Sequence, residues 1–320
     1  MMDWSDRHCR YLWRLLSEHA RLYTEMVVSG AIVHGDRTRF LRFNAEEHPL
    51  ALQVGGSDPA ELAQCAAIAE EWRYDEINLN CGCPSDRVQK GKIGAVLMRE
   101  PNLVADCISA MRSASTLPVT VKHRIGVDDM EGYDALSHFV ATVSDAGCKV
   151  FIVHARKAWL KGLSPKENRE VPPLDYEQVL RLKRDFPELC IVMNGGITSL
   201  ETCKSLLHEL DGVMVGREAY SRPFFLSDVD RELFDQHTFV KDRLTVARNY
   251  AEYCQTQLDQ GARLHHMTRH ILGLFAGCAG GKQFRRHLSQ HAHRPRAGAN
   301  ILHEALQALE DRVATEHMSH

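Results

Sequence analysis

Short β-branched runs recur at 22–28, 50–54, 76–80, 119–124, 150–155, 190–194 and 212–216, with amphipathic segments at 59–72, 102–113, 133–146, 176–185 and 200–210 between them. Strands that read as near-continuous apolar runs are buried on both faces, and their alternation with helices is the pattern of a parallel sheet. Seven such units, each with a polar or glycine-bearing C-terminal tip, predict an α/β fold: a TIM (β/α)8 barrel short of one strand. An open doubly wound sheet is disfavoured, because no Gly-x-Gly-x-x-Gly follows an early strand. The gap falls at the N-terminus. The chain enters a helix at the N-cap candidate Ser5 with almost nothing before it, so the first barrel strand is expected to be largely absent. After Tyr220 the β pattern stops, and helical segments at about 239–258, 264–275, 281–290 and 299–313 predict an all-α C-terminal domain. The expected division is a barrel over 1–236 and a helical domain over 237–320.

With 320 residues, 44% of them hydrophobic, the chain can bury one large core and a smaller module. No apolar run approaches a membrane span, and the N-terminus does not read as a signal peptide. Ten scattered cysteines without paired metal-type spacing then read as reduced, cytoplasmic thiols. The net charge of −3 is unevenly placed: from Gln260 to His303 there is no Asp or Glu, but seven Lys and Arg. A basic stretch on an otherwise acidic chain leads us to expect a polyanion at that end.

The strand tips carry the chemistry. Asn78-Leu79-Asn80-Cys81-Gly82-Cys83-Pro84 puts two amides and a thiol at the end of a buried strand, followed by the loop 85–91. Strand parity places Asn78 and Asn80 on one face and Leu79 and Cys81 on the other. Cys81 is thus expected to pack, and Cys83 to be exposed. Other tips carry Gln53, Lys122, His154, Asn194-Gly195-Gly196 and Gly216-Arg217. Each alone has a bland reading as a turn, an internal ion pair or a structural histidine. On successive tips of one sheet they describe a pocket with a phosphate end, a lysine, a histidine and a glutamine. The glycines and Arg217 would hold a phosphate after the last strands. That set suits flavin mononucleotide (FMN), whose reduced anionic ring a lysine stabilises. His266 and His270 stand at helical spacing but lack a third ligand, so no metal site is expected.

The segments 1–11, 78–84, 154–160, 163–173 and 212–220 resemble the tRNA-dihydrouridine synthases, in particular their A-type bacterial subfamily, over nearly the whole chain. The resemblance implies an FMN-binding barrel, a helical tRNA-binding domain, and NADPH-dependent reduction of uridine to dihydrouridine in the tRNA D-loop, at positions 20 and 20a. By motif, Cys83 resembles the catalytic proton donor and Asn80 the amide that holds the uracil. Gln53, Lys122, His154, Asn194, Gly195, Gly196, Gly216 and Arg217 resemble the FMN contacts. Lys166, Arg169, Arg285 and Arg286 resemble the tRNA-orienting set. The family pattern opens on a strand ending Ala-Pro-Met against the flavin, of which Met1-Met2 matches only the end. Val96 stands where relatives often carry Cys, a volume-tolerant change expected to be neutral. A monomeric, cytoplasmic enzyme is expected.

A thiol suits the proton-donor role because its reference pKa of ~8.5 keeps it protonated at neutral pH yet able to give the proton up. No histidine follows Cys83 in the same tip to strip it to a thiolate, so an acid fits better than a nucleophile. Two rivals are a flavin barrel acting on a free pyrimidine and a tRNA-binding protein without catalysis. The first leaves the acid-free stretch unexplained, and the second predicts a colourless protein.

Overall fold

The computed structural model describes residues 1–85, 91–130, 132–236 and 241–317. Part of the expected loop after Ser85 (86–90) and the start of the helix expected from 239 lie outside them. The chain divides into two compact units, each discontinuous in sequence.

The first unit comprises 1–2, 21–43 and 48–216. Its eight strands are β1 (Leu22–Tyr23), β2 (Val27–Val28), β3 (Leu50–Gly55), β4 (Glu76–Cys81), β5 (Val119–Arg124), β6 (Val150–His154), β7 (Cys190–Asn194) and β8 (Gly212–Met214). They form one parallel sheet in the order β1-β3-β4-β5-β6-β7-β8, with β2 also on β3. Among the described residues no pairing joins β8 back to β1. The parallel sheet and the helices around it are the TIM-barrel fold.

The run 22–28 is two strands, not one. Its register on β3 slips by one residue between Tyr23↔Ala51 and Val27↔Val54. The Gln53 backbone N–H is taken by the Thr24 hydroxyl at 2.9 Å, which interrupts the ladder as a bulge does.

Parity sorts the sheet's two faces. Val121 and His123 point towards helix Tyr133–Asp145, where the buried His123 ring packs against Phe139 and Phe151. Burial lowers this imidazole to about 4, so it is a neutral packing residue, held by the Arg124 carbonyl at 2.7 Å. The opposite face carries Glu76, Asn78 and Asn80 of β4 and Thr120, Lys122 and Arg124 of β5. An apolar outer layer thus supports a polar inner one.

The second unit comprises 3–20, 44–47 and 217–320. It contains α1 (Arg7–Leu16), α2 (Arg243–Asp259), α3 (Leu264–Ile271), α4 (Gly281–His291) and α5 (Asn300–His317). The N-cap of α1 is Asp6 and not Ser5: the Asp6 carboxylate accepts from the His8 and Cys9 amides, both at 3.0 Å. A carboxylate at this position also complements the helix dipole, which a hydroxyl does not. Helix α1 is tied to the C-terminal helices by His8 to the Tyr253 hydroxyl at 2.7 Å, Tyr250 to the His8 carbonyl, and Trp13 to the Ala219 carbonyl. Arg10 and Glu47 form a buried ion pair within the same unit. Among the described residues no helix is long and apolar enough to cross a membrane.

Candidate active site

Two residues past the end of β4, the Cys83 backbone is fixed on both sides. Its N–H donates to Asn80 Oδ1 at 2.9 Å, and its carbonyl accepts from the Ala95 N–H at 2.9 Å. The preceding peptide is held likewise, with the Gly82 N–H on Asn80 Oδ1 at 3.0 Å and the Gly82 carbonyl accepting from Arg124 Nε at 3.1 Å. This turn presents Cys83 half-exposed, while Cys81 is fully buried in the packing layer. Burial pushes the Cys81 thiol well above the ordinary range.

Arg124, the last residue of β5, organises this mouth. Its buried guanidinium also donates to the Lys157 and Asn168 carbonyls at 3.3 and 2.8 Å. It therefore ties the cysteine turn to the segment after β6. Burial lowers Arg124 to about 10, with Cys83 opposing and Arg169 and Arg156 adding to the shift. No motif marks it. Only strand registry brings it beside Gly82.

The segment after β6 is braced from inside by Asn168, whose amide donates to the Trp159 and Leu163 carbonyls and accepts from the Trp159 N–H at 2.7 Å. Lys166 is exposed and Arg169 half-buried on this braced loop. Trp159 is 41% exposed, with Lys157 Nζ over its ring.

Lys122 donates to Asn194 Oδ1 at 2.9 Å, and Asn194 donates to the Met214 carbonyl at 2.7 Å. Burial lowers the Lys122 ammonium to about 7; Arg124 adds to that and Cys83 opposes it. Gly195 and Gly196 follow with φ of +113° and +71°. A Cβ on Gly195 would lie 2.6 Å from the His154 ring, so His154 rests against this turn. Met1 Sδ lies 3.5 Å from where a Cβ on Gly216 would stand. Met2 is exposed, as is Arg217, which opens the C-terminal segment of the second unit. Gln53 is buried beneath the mouth and bonded to Asn78 and Asn80. The first unit thus gathers Cys83, Asn80, Gln53, Lys122, His154 and the glycine turn on neighbouring strand ends. Arg285 and Arg286 belong to the second unit, exposed on α4.

The dihydrouridine synthase (Dus) family profile matches residues 1–310. The chain belongs to the dihydrouridine synthase family. A relative from Vibrio cholerae is 57% identical over 310 residues, covering 97% of this chain and 94% of its own length. One from Yersinia pestis is 58% identical over 307 residues, covering 96% and 89%. One from Escherichia coli K12 is 57% identical over 313 residues, covering 98% and 90%. All three carry the name tRNA-dihydrouridine(20/20a) synthase.

Dihydrouridine synthases are flavin-dependent oxidoreductases, and this mouth fits a flavin nucleotide. The Gly195-Gly196 turn has backbone geometry that side chains rarely adopt, and a Cβ on Gly195 or Gly196 would run into His154 or Leu174. Beside it stands a lysine whose ammonium is costly to keep charged without an anion.

Proposed function

We propose that this dihydrouridine synthase reduces uridines 20 and 20a of the tRNA D-loop, with FMN as cofactor and NADPH as reductant. The observation that carries the proposal is identity of 57–58% along nearly the full length of relatives named for that reaction. Lys122, Gln53, His154, Asn194, Gly195, Gly196, Gly216, Arg217 and the Met1-Met2 end would hold the cofactor. When bound and reduced by NADPH, FMN supplies a hydride for C6 of the uracil ring.

The chain's own residues do the rest. Cys83 gives its thiol proton to C5 of the ring, and the clamped turn keeps the sulfur from drifting as it does so. Asn80 offers an amide N–H to a ring carbonyl, which orients the base. Arg124 stabilises charge that builds up on the ring, because a buried guanidinium keeps its charge where a lysine loses it. The target base must leave its stack, which costs a few kcal/mol and is cheapest in a loop. Lys166, Arg169, Arg285 and Arg286 meet that cost through phosphate contacts elsewhere on the tRNA. Residues 1–236 would thus carry the catalysis and residues 237–320 the tRNA binding, in a monomeric, cytoplasmic enzyme.

The experiment is position-by-position dihydrouridine mapping in tRNA from cells lacking the protein. Loss at 20 and 20a alone, restored by the wild-type chain, supports the proposal. Unchanged dihydrouridine at both positions refutes it.

A further inference from the structure

A single chain of hydrogen bonds runs along the inner face of the sheet from the first residue of β4 to the Cys83 turn. It begins at Glu76, whose carboxylate receives Arg21 at 2.6 Å, the Tyr23 hydroxyl at 2.9 Å and the Thr120 hydroxyl at 2.6 Å. The Thr120 oxygen accepts from Asn78 Nδ2 at 2.8 Å, and Asn78 Oδ1 accepts from Gln53 Nε2 at 2.9 Å. Gln53 Oε1 then accepts from Asn80 Nδ2 at 2.8 Å, and Asn80 Oδ1 accepts the Gly82 and Cys83 amides. Glu76, Asn78, Thr120, Gln53 and Asn80 are all buried.

The chain has a direction. The Glu76 carboxylate, paired with Arg21, only accepts, so Thr120 must spend its one hydrogen on Glu76 and turn its oxygen to Asn78. The backbone amides at the other end only donate, so Asn80 must turn its oxygen to them. Between these fixed ends, reversing the Asn78 or Gln53 amide would set donor against donor and acceptor against acceptor, away from water.

We propose that Glu76 and Thr120 are positioning residues for Cys83, which lock the turn through Asn78, Gln53 and Asn80. The lock also commits the oxygen of Asn80 and leaves one N–H each on Asn80 and Gln53 for a ligand. The inner face then meets a ring with carbonyl oxygens, which a uracil has and which the exocyclic amine of cytosine would oppose. This rests on the proposed function for the identity of the ring, but not for the lock itself.

The test compares Thr120→Val, which keeps the shape and removes the hydroxyl, with Thr120→Ser, which keeps the hydroxyl. Hydrogen exchange is followed on the peptide containing Gly82 and Cys83, with the β6–β7 ladder as reference. Thr120→Val is expected to speed exchange at 82–83 about tenfold over the reference and to lower kcat for dihydrouridine formation about tenfold at unchanged tRNA KM. Thr120→Ser is expected to match the wild type in both. Should Thr120→Val not fold, Thr120→Cys, a weak hydrogen-bonding group of similar size, is expected to give a smaller change in the same direction. Exchange at 82–83 that stays at the wild-type rate in the folded valine or cysteine variant overturns the proposal, as does faster exchange with unchanged kcat. Because exchange is read without tRNA, faster exchange with an inactive wild type would refute the proposed function and leave the lock standing.

Discussion

Cys81 and Cys83 carry the same functional group two residues apart, and their surroundings separate them. Cys81 is enclosed between sheet and helices, so its thiol stays protonated and inert. Cys83 sits half-exposed on a turn whose peptides are held by Asn80, Ala95 and Arg124. Cys83→Ala is therefore expected to bind flavin and tRNA but lose at least ~100-fold in dihydrouridine formed per flavin, within the range for losing a proton donor. Cys81→Ala is expected to keep near-normal turnover, and equal activity in both variants would remove Cys83 from the mechanism. Lys122 makes a second residue-scale case. Burial lowers its pKa to about 7 in the folded protein, whereas unfolded it keeps its ordinary value of 10.5. Between those values the unfolded chain binds the extra proton, so the lysine's unfavourable contribution is full below about pH 7 and fades as pH rises. Lys122→Met is expected to raise the Tm of flavin-free protein at pH 6 more than at pH 9, while lowering the flavin recovered per chain. A stabilisation equal at both pH values would mean that the ammonium pays no burial cost.

At the scale of elements, the turn after β7 and the cap of α1 show what local sequence does and does not disclose. Asn194-Gly195-Gly196 is legible as a special turn because only glycine adopts φ of +113° with a histidine ring against it. Gly195→Ala is expected to cost about 1–2 kcal/mol from the positive φ alone, and more as His154 is displaced. Absorbance of the purified variant should show flavin largely lost, and full loading would exclude this turn as part of the cofactor site. The strands were equally legible, since strands buried on both faces read as apolar runs. The polar inner chain was not, because it depends on registry between residues such as Gln53, Asn78 and Thr120, far apart in sequence. Local sequence sets the α1 cap one residue early, at Ser5, for a similar reason. Ser5 and Asp6 are both good caps locally, and Asp6 is favoured by its long-range contact with His270 at 3.0 Å. Burial alone would raise the Asp6 carboxyl, but His270 and the Cys9 amide outweigh it and lower the pKa to about 2. The resulting stabilisation, about 2 kcal/mol, is full above about pH 4 and lost as pH falls towards 2. Asp6→Asn should lack it at pH 6 and show a correspondingly shallower loss of stability on acid titration.

At the scale of the whole molecule, a continuous boundary could not anticipate that 3–20 and 44–47 group with the C-terminal helices. Their ties are contacts more than 200 residues apart, such as His8 with Tyr253 and Trp13 with Ala219. The charge asymmetry, by contrast, is visible in the sequence and has a consequence in solution. Arg285 and Arg286 are exposed on α4, while Phe284 and Leu288 anchor the helix in its own core. Reversing both arginines therefore changes surface charge without emptying that core. If each neutralises one phosphate, log affinity for tRNA falls with log salt at about −0.7 to −0.9 per contact, and losing two contacts flattens the slope by about 1.4 to 1.8. Arg285→Glu with Arg286→Glu is expected to weaken tRNA binding most at low salt, where screening is least, and to converge on the wild type as salt rises. Flavin content and flavin-dependent NADPH oxidation should be unaffected, because the proposed cofactor residues through Gly216 belong to the first unit. Filter-binding titrations of both proteins across several salt concentrations read the slope directly. An unchanged slope would mean that these arginines are solvated charges and that the phosphate-binding surface lies elsewhere, with Lys166 and Arg169 the next pair to reverse.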